Sequence, residues 1–239
     1  MKLKYIFGPV ISRRLGRSLG IDLIPFKTCS LDCIYCECGR TNSLTRERKE
    51  YVPTDEVINE LNNYLSTSPE LDYLTFSGSG EPTLHSDIGK IINFLKDNYP
   101  QYKVALLTNG TLFTDKNVIA EVKRADLIVP SLDGVSEEVF SKINRPVNNI
   151  TSQEIISGLE NLRKEYPGEI WLEIFIVPGI NDKEKELRLF KETIARIRPD
   201  KVQLNTLDRP GTETWVRPVP EEKLRSVTGF LGDKVEIVT

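Results

Sequence analysis

The sequence predicts an α/β fold, a partial (β/α)6 TIM-like barrel of parallel strands with a short C-terminal extension, and three observations lead to it. Its 239 residues are a length that one α/β barrel or one doubly wound sheet fills and that two ordinary domains would share tightly, so a single domain over 1–239 is expected. From residue 20 almost to the end, β-rich apolar runs alternate with segments of helical period. Those runs are continuously apolar rather than alternating, as strands covered on both faces are.

The strands are expected at residues 19–24, 73–76, 104–107, 127–129, 170–177 and 201–205. Between them, Val57, Leu61, Tyr64 and Leu65 follow i, i+4, i+7, i+8 spacing, and Ile88, Ile91, Ile92 and Leu95 keep a helical period. So do Ile155, Ile156, Leu159 and Leu162, and then Leu187, Phe190, Ile194 and Ile197. Thr151 with Glu154 has capping-box spacing, Asn181-Asp182-Lys183-Glu184 a similar one, and Pro53-Thr54-Asp55 offers further cap oxygens. About six β/α units are too few for a complete eight-fold barrel. The core therefore covers about residues 19–206, and 207–239 reads as a proline-bearing wrap, a last helix and a short strand at 235–238. In parallel α/β folds chemistry gathers at the carboxyl ends of the strands, so function is sought in the loops that follow them.

Composition narrows the classes. Hydrophobic residues make up 39% and charged residues 28%, enough to bury a core and unlike a disordered chain. No apolar run approaches membrane-spanning length, and the start, Met1-Lys2-Leu3-Lys4-Tyr5, lacks a secretory signal, which points to the cytoplasm and to no membrane partner. The net charge of −3 argues against a general nucleic-acid binder. The charge is uneven, however: residues 1–49 hold ten lysines and arginines against four acidic residues.

All four cysteines, Cys29, Cys33, Cys36 and Cys38, fall within ten residues just after the first expected strand. No disulfide among them closes a long loop, so in a reducing compartment the cluster reads as thiolates for a metal. The spacing C-x3-C-x2-C places three ligands on one tight loop, which suits a [4Fe–4S] cubane with one iron left open. Structural zinc held by all four thiolates, in a non-catalytic protein, is the alternative of another class; Cys38 stands close to Cys36 for that purpose, and no histidine lies nearby.

These cysteines, with Tyr35 between the second and third, and Ser79-Gly80-Glu81-Pro82 after the second strand, resemble the radical S-adenosylmethionine (radical SAM) superfamily, whose corresponding motif is usually Gly-Gly-Glu-Pro. The resemblance covers most of the chain. It implies a [4Fe–4S] cluster whose open iron binds S-adenosylmethionine, reductive cleavage to methionine and a 5′-deoxyadenosyl radical, and hydrogen abstraction from a substrate. It implies that Cys29, Cys33 and Cys36 are cluster ligands, that Tyr35 lies beside the adenine, and that Ser79, Gly80, Glu81 and Pro82 run along the methionine ammonium. Thr108, Asn109, Ser131 and Asp133 match positions that bond the carboxylate or ribose, while Val177 with Leu204 or Asn205 would border the adenine. Cys38 has no role in the family pattern.

The opening segment from Phe7 to Gly20 resembles a branch related to wyosine-forming tRNA enzymes. Those enzymes carry further cysteines for a second cluster, which disfavours tRNA modification here; activation of a glycyl-radical enzyme is another use of the same chemistry. A dinucleotide reading of Gly78-Ser79-Gly80 fails because the third glycine is missing and Pro82 keeps Glu81 out of helical geometry. Arg13, Arg14, Arg17, Arg40, Arg46, Arg48 and Lys49 read as a solvated face, or as contacts for an anionic substrate, RNA phosphates or an acidic electron donor of flavodoxin or ferredoxin type. Glu173, inside an apolar strand, and Asp208-Arg209 are candidate substrate contacts, with a structural ion pair as the rival role for Glu173. His85, the single histidine, reads as a helix-start residue rather than an acid or base.

Overall fold

A computed structural model of the chain describes residues 3–147 and 149–238. Met1 and Lys2, which enter the reading of the start and its charge, and Thr239, the end of the expected domain, lie outside the described residues, as does Asn148.

The first elements form a hairpin, β1 (Ile6–Ser12) against β2 (Gly16–Ile21), among the described residues the one antiparallel pair of the main sheet. A two-residue parallel ladder, β3 (Thr28–Cys29) with β4 (Ser43–Leu44), ties the cysteine loop at its base. Then follow α1 (Thr54–Leu65), β5 (Tyr73–Phe76), a 3-10 turn at Pro82–Leu84, α2 (Ile88–Asn98), β6 (Lys103–Thr108), α3 (Lys116–Val122), β7 (Leu127–Pro130), α4 (Glu137–Asn144) and α5 (Ser152–Glu165). The last elements are β8 (Glu169–Phe175), α6 (Glu184–Ile197), β9 (Lys201–Asn205), α7 (Glu221–Leu231) and β10 (Val235–Ile237). The sheet has eight strands in the order β1-β2-β5-β6-β7-β8-β9-β10, parallel from β2 onward. Among the described residues no pairing joins β10 to β1, so the barrel is open, as expected.

Several expectations need correction. The first strand starts at Gly16 and ends at Ile21 rather than covering 19–24. Its early residues include Ser18, whose hydroxyl meets Thr75 at 2.6 Å on the inner face, so an apolar pattern could not reveal them. Leu23 and Ile24 are buried, but beyond Asp22, whose carboxylate accepts the Ile24 N–H and turns the chain out of the sheet. β1 escaped notice because nearly all of it is exposed at the sheet edge, where Pro9 is tolerated. The short strand of the extension is not a separate feature: β10 pairs with β9 in parallel and continues the sheet by one more β/α step.

The helix starts also differ. Thr151 and Glu154 form the capping box. The N-cap of α1 is Pro53, and the Thr54 N–H is satisfied by Glu50 Oε1 at 2.7 Å. The N-cap of α6 is Lys183, because Asn181 and Asp182 instead accept the backbone N–H groups of Val177 and Gly179, each at 2.7 Å, and close the preceding loop. His85 is fully buried, with Nε2 2.9 Å from the Val52 carbonyl and Nδ1 accepting from Asp87 N, a structural placement.

The helix-covered face carries the main core, in which Leu19, Leu74, Phe76, Val104, Leu106, Leu172, Val202 and Leu204 are fully buried. Val235 from β10 and Leu224, Val227 and Leu231 from α7 belong to the same cluster. Inside the barrel, Leu15 from the hairpin turn packs against Ala105, Leu127 and Val129. Among the described residues no helix is long and apolar enough to cross a membrane.

Candidate active site at the carboxyl ends of the strands

The cysteine loop leaves β2 and returns through β4, so all four thiols stand beyond the carboxyl end of the first parallel strand. Three of them meet nitrogen donors from three different segments. Asn109 Nδ2, after β6, lies 3.4 Å from Cys29 Sγ; Asn144 Nδ2, closing α4, lies 3.3 Å from Cys33 Sγ; Lys27 Nζ lies 3.1 Å from Cys36 Sγ. Cys38 Sγ donates to the Gly78 carbonyl at 3.7 Å.

Burial pushes the Cys29 thiol up to about 12 and that of Cys33 well above its ordinary value, so loading a metal there must displace protons. Cys36 is lowered to about 5, first by the hydrogen bond with Cys38 and then, against burial, by Lys27; Cys38 is raised by the same bond. Among the described residues no three His, Cys, Asp or Glu side chains converge as they would around a single ion. A cubane attaches its thiolates to separate irons and needs no such convergence. The donor set, three thiols on one loop with an N–H aimed at each, fits an iron–sulfur cluster.

Residues 78–82 run alongside the loop. Gly78 has φ +125° and lies against the Asp22 side chain, and a Cβ on Gly80 would strike the Thr28 carbonyl oxygen, so neither position admits a side chain without strain. Ser79, where the family usually has glycine, donates from N and Oγ to Asp22 Oδ2 at 3.0 and 2.6 Å and pins the segment to the end of β2. Glu81 sits extended before Pro82 and is 2% exposed. Its Oε1 accepts from Thr83 Oγ1 and Thr108 Oγ1, both at 2.6 Å, and from Thr83 N, while Oε2 accepts from Asn109 N at 2.7 Å. Burial raises its pKa against these donors. Glu81 and Thr108 thus brace one strand end against the next.

On the other flank Tyr35 stacks on Phe175 with ring centroids 3.8 Å apart and donates to Asp133 Oδ2 at 2.6 Å. Asp133 also accepts from Asn144 Nδ2 and Phe175 N, and burial raises its pKa. Asn144, so bound to Asp133 and Cys33, leaves its Oδ1 without a partner at a cavity of about 40 Å³ bordered by Cys33, Tyr35, Asn109, Ser131 and Asp133, room for a water. Val177 packs with Tyr35 and Phe175. Asn205 O accepts from Ile176 N and its Oδ1 from Thr206 N, placing it at the same rim. Leu204 is the exception: it points to the helix-covered core, because alternate strand residues face opposite ways.

The basic run is neutralised. Arg13 pairs with Asp208, Arg14 with Glu173, Arg17 with Glu70, Arg40 with Glu213, Arg46 with Glu154, Arg48 with Glu121 and Lys49 with Glu47. Glu173 therefore takes the ion-pair role, and Arg209 pairs with Glu37. Sequence reasoning missed Lys27, Asn144 and Phe175, whose roles appear only once distant segments meet. It also missed that the wrap covers the cysteine loop: Glu213 N donates to Ile34 O at 2.9 Å, Thr212 Oγ1 to Cys36 O at 3.2 Å, and Gly211 lies on the Tyr35 backbone.

The Radical SAM superfamily model matches residues 23–190. A protein named GTPase Obg from Brachyspira hyodysenteriae is 39% identical over 96% of this chain, which covers only 34% of it, so the chain spans about a third of that relative's length. A UPF0026 protein of Methanocaldococcus jannaschii is 35% identical, with 97% of this chain and 71% of the relative covered. A structure of TYW1 with a lysine–pyruvate adduct bound has TM-score 0.67 at 16% identity, covering 90% of this chain and 72% of its own, a likeness of fold. That superfamily uses a [4Fe–4S] cluster and S-adenosylmethionine. With its partial barrel, its cysteine loop and a family match over most of its length, this chain belongs to the radical SAM superfamily.

Proposed function

We propose that the chain is a single-cluster radical SAM enzyme in which Cys29, Cys33 and Cys36 hold the [4Fe–4S] cluster. The observation that carries this reading is the set of three thiols on one strand-end loop, each met by its own N–H donor. When bound, the cluster supplies one electron at low potential for cleaving S-adenosylmethionine to methionine and a 5′-deoxyadenosyl radical, which removes hydrogen from a substrate.

The chain's own residues bind and orient. Residues 79–82, held in place by Ser79 on Asp22 and by the Glu81 brace to Thr108 and Asn109, would run along the methionine ammonium. The stacked Tyr35 and Phe175, with Val177 and Asn205, form the adenine side, and Asp133 fixes the Tyr35 hydroxyl. Ser131, beside the small cavity, stands where a ribose hydroxyl or carboxylate would be met. The wrap of residues 208–220 covers the loop and limits the access of solvent to it. An electron donor of flavodoxin or ferredoxin type would supply the electron. The GTPase activity in the Brachyspira relative's name has no counterpart here, since the sequence lacks a Gly-x4-Gly-Lys-Ser/Thr run.

The test is anaerobic. The protein is reconstituted with iron and sulfide, metal and sulfide are counted, and dithionite and S-adenosylmethionine are added. About four irons per chain with 5′-deoxyadenosine in the mass spectrum support the proposal; stoichiometric zinc without cleavage overturns it.

A further inference from the structure

Lys27 stands out among the cations around the cysteine loop. The arginines and lysine of the flanking basic run each meet a carboxylate, whereas among the described residues Lys27 has no carboxylate within ion-pair distance and its Nζ meets Cys36 Sγ at 3.1 Å. It is also 3% exposed. A buried ammonium is costly without a compensating anion, and among the described residues the group in hydrogen-bond reach of Nζ that can carry negative charge is the Cys36 sulfur.

The backbone holds Lys27 in place. Its φ is +59°, a left-handed conformation that a lysine adopts only when its surroundings impose it. Its N–H donates to the Ser79 carbonyl at 2.9 Å, and its carbonyl accepts from Asn42 N and Ser43 N at 2.9 and 3.0 Å. The residue is thereby clamped between the segment at Ser79 and the returning strand β4. Asn109 and Asn144 also donate to cysteine sulfurs, but as neutral amides that have second partners, Ser30 and Asp133. Among the described residues Lys27 is thus the one full charge aimed at a thiol of the loop.

We infer that Lys27 is the fixed counter-cation of the cluster and sets its reduction potential, an inference that rests on the cluster assignment above. Reduction adds one electron to a group already anionic through three thiolates. A cation buried against one of those sulfurs stabilises the reduced form more than the oxidised form, because Coulomb energy grows with the charge it faces and is weakly screened there. The electron comes from the reductant, and no bond is made or broken in the protein. Neutralising the residue therefore lowers the potential, making the cluster harder to reduce, while the cysteines still hold the iron.

The experiment compares reconstituted wild type with Lys27→Met and Lys27→Arg by a redox titration followed by electron paramagnetic resonance, with iron and sulfide counted in each. The expected result is a full complement of iron in all three. In Lys27→Met the reduction equilibrium shifts at least tenfold toward the oxidised form, about 59 mV for a one-electron couple, and in Lys27→Arg it stays close to wild type. An iron-replete Lys27→Met with an unchanged potential overturns the inference, leaving Lys27 as a clamp of the loop. Should Lys27→Met lose iron, Lys27→Gln, which keeps an N–H donor without the charge, takes its place under the same two outcomes. Wild type that takes up no cluster at all would instead sink the cluster assignment, a failure distinct from an unshifted potential.

Discussion

The helix-covered face of the sheet and the rim at the carboxyl ends of its strands bury side chains equally well and hold them by different means. On the face, Leu74, Phe76, Val104 and Leu204 are fully buried among apolar neighbours, where contact is non-directional and each residue has many substitutes for any one partner. On the rim, Ser30 is also fully buried and Glu81 and Asp133 are each 2% exposed, yet each depends on a few specific partners. Ser30 Oγ meets Thr111 Oγ1 at 2.7 Å, Glu81 binds Thr83, Thr108 and Asn109, and Asp133 binds Tyr35, Asn144 and Phe175. The face supplies stability that tolerates change, and the rim supplies positions that do not.

The largest effect on this contrast should come from the rim. Cys33→Ser is expected to abolish cluster loading and S-adenosylmethionine cleavage while leaving the helix-covered core untouched; iron content, 5′-deoxyadenosine yield and circular dichroism check all three. An active, iron-loaded variant would refute the ligand assignment. The counterpart on the face is Leu204→Ala, expected to cost about 2–5 kcal/mol of stability and to leave cofactor cleavage per folded molecule unchanged. Urea unfolding beside a cleavage assay would show it, and loss of cofactor affinity in a stable variant would return Leu204 to the site.

How much of this was legible depended on the same distinction. The face announced itself, because continuous apolar runs and helical periods are local patterns, and six of its strands, β5 to β10, were readable from residues such as Leu74 and Val202. The rim was half legible. Cys29, Cys33 and Cys36 are a local spacing, and residues 79–82 a local motif. Lys27 and Asn144 carry no such signal, since their partners are nine and 111 positions away in sequence. The wrap was read as a covering segment without its target, because Gly211 and Glu213 meet Tyr35 and Ile34 only through the closed fold. β1 was invisible for the opposite reason: at an exposed edge it needs no buried pattern.

A smaller effect tests whether the rim's buried carboxylates stand apart from the surface ones. Burial raises Glu81 above its ordinary 4.5, so between 4.5 and that raised value the folded chain holds a proton the unfolded chain has lost, and stability falls as pH rises through that window. Glu81→Gln places a donor against the Asn109 N–H and should cost about 1–3 kcal/mol, but it removes the titration. Its deficit relative to wild type is therefore expected to shrink as pH rises above 4.5, measured by urea unfolding of the cluster-free proteins at several pH values. A deficit that grows with pH would mean that the four hydrogen bonds favour the ionised carboxylate more than burial disfavours it.

The smallest expected effect is the most discriminating. Cys38 shares the loop with the three proposed ligands and donates to the Gly78 carbonyl, so proximity alone would enlist it. If the loop worked like the face, by number of neighbours, all four thiols would contribute, and Cys38→Ser would lower metal content in proportion. If it works like the rest of the rim, by particular partners, only the thiols with dedicated nitrogen donors matter. Cys38→Ser should then retain full iron, since a serine hydroxyl can still donate to Gly78 O, and Cys36 keeps its contact with Lys27. The measurement is iron, sulfide and zinc per chain in the reconstituted variant, with 5′-deoxyadenosine formed. Loss of metal together with loss of fold would place Cys38 among structural ligands and restore the zinc alternative. Iron content and cleavage equal to wild type would leave the cluster to three cysteines and locate the specificity of the site in the donors around them.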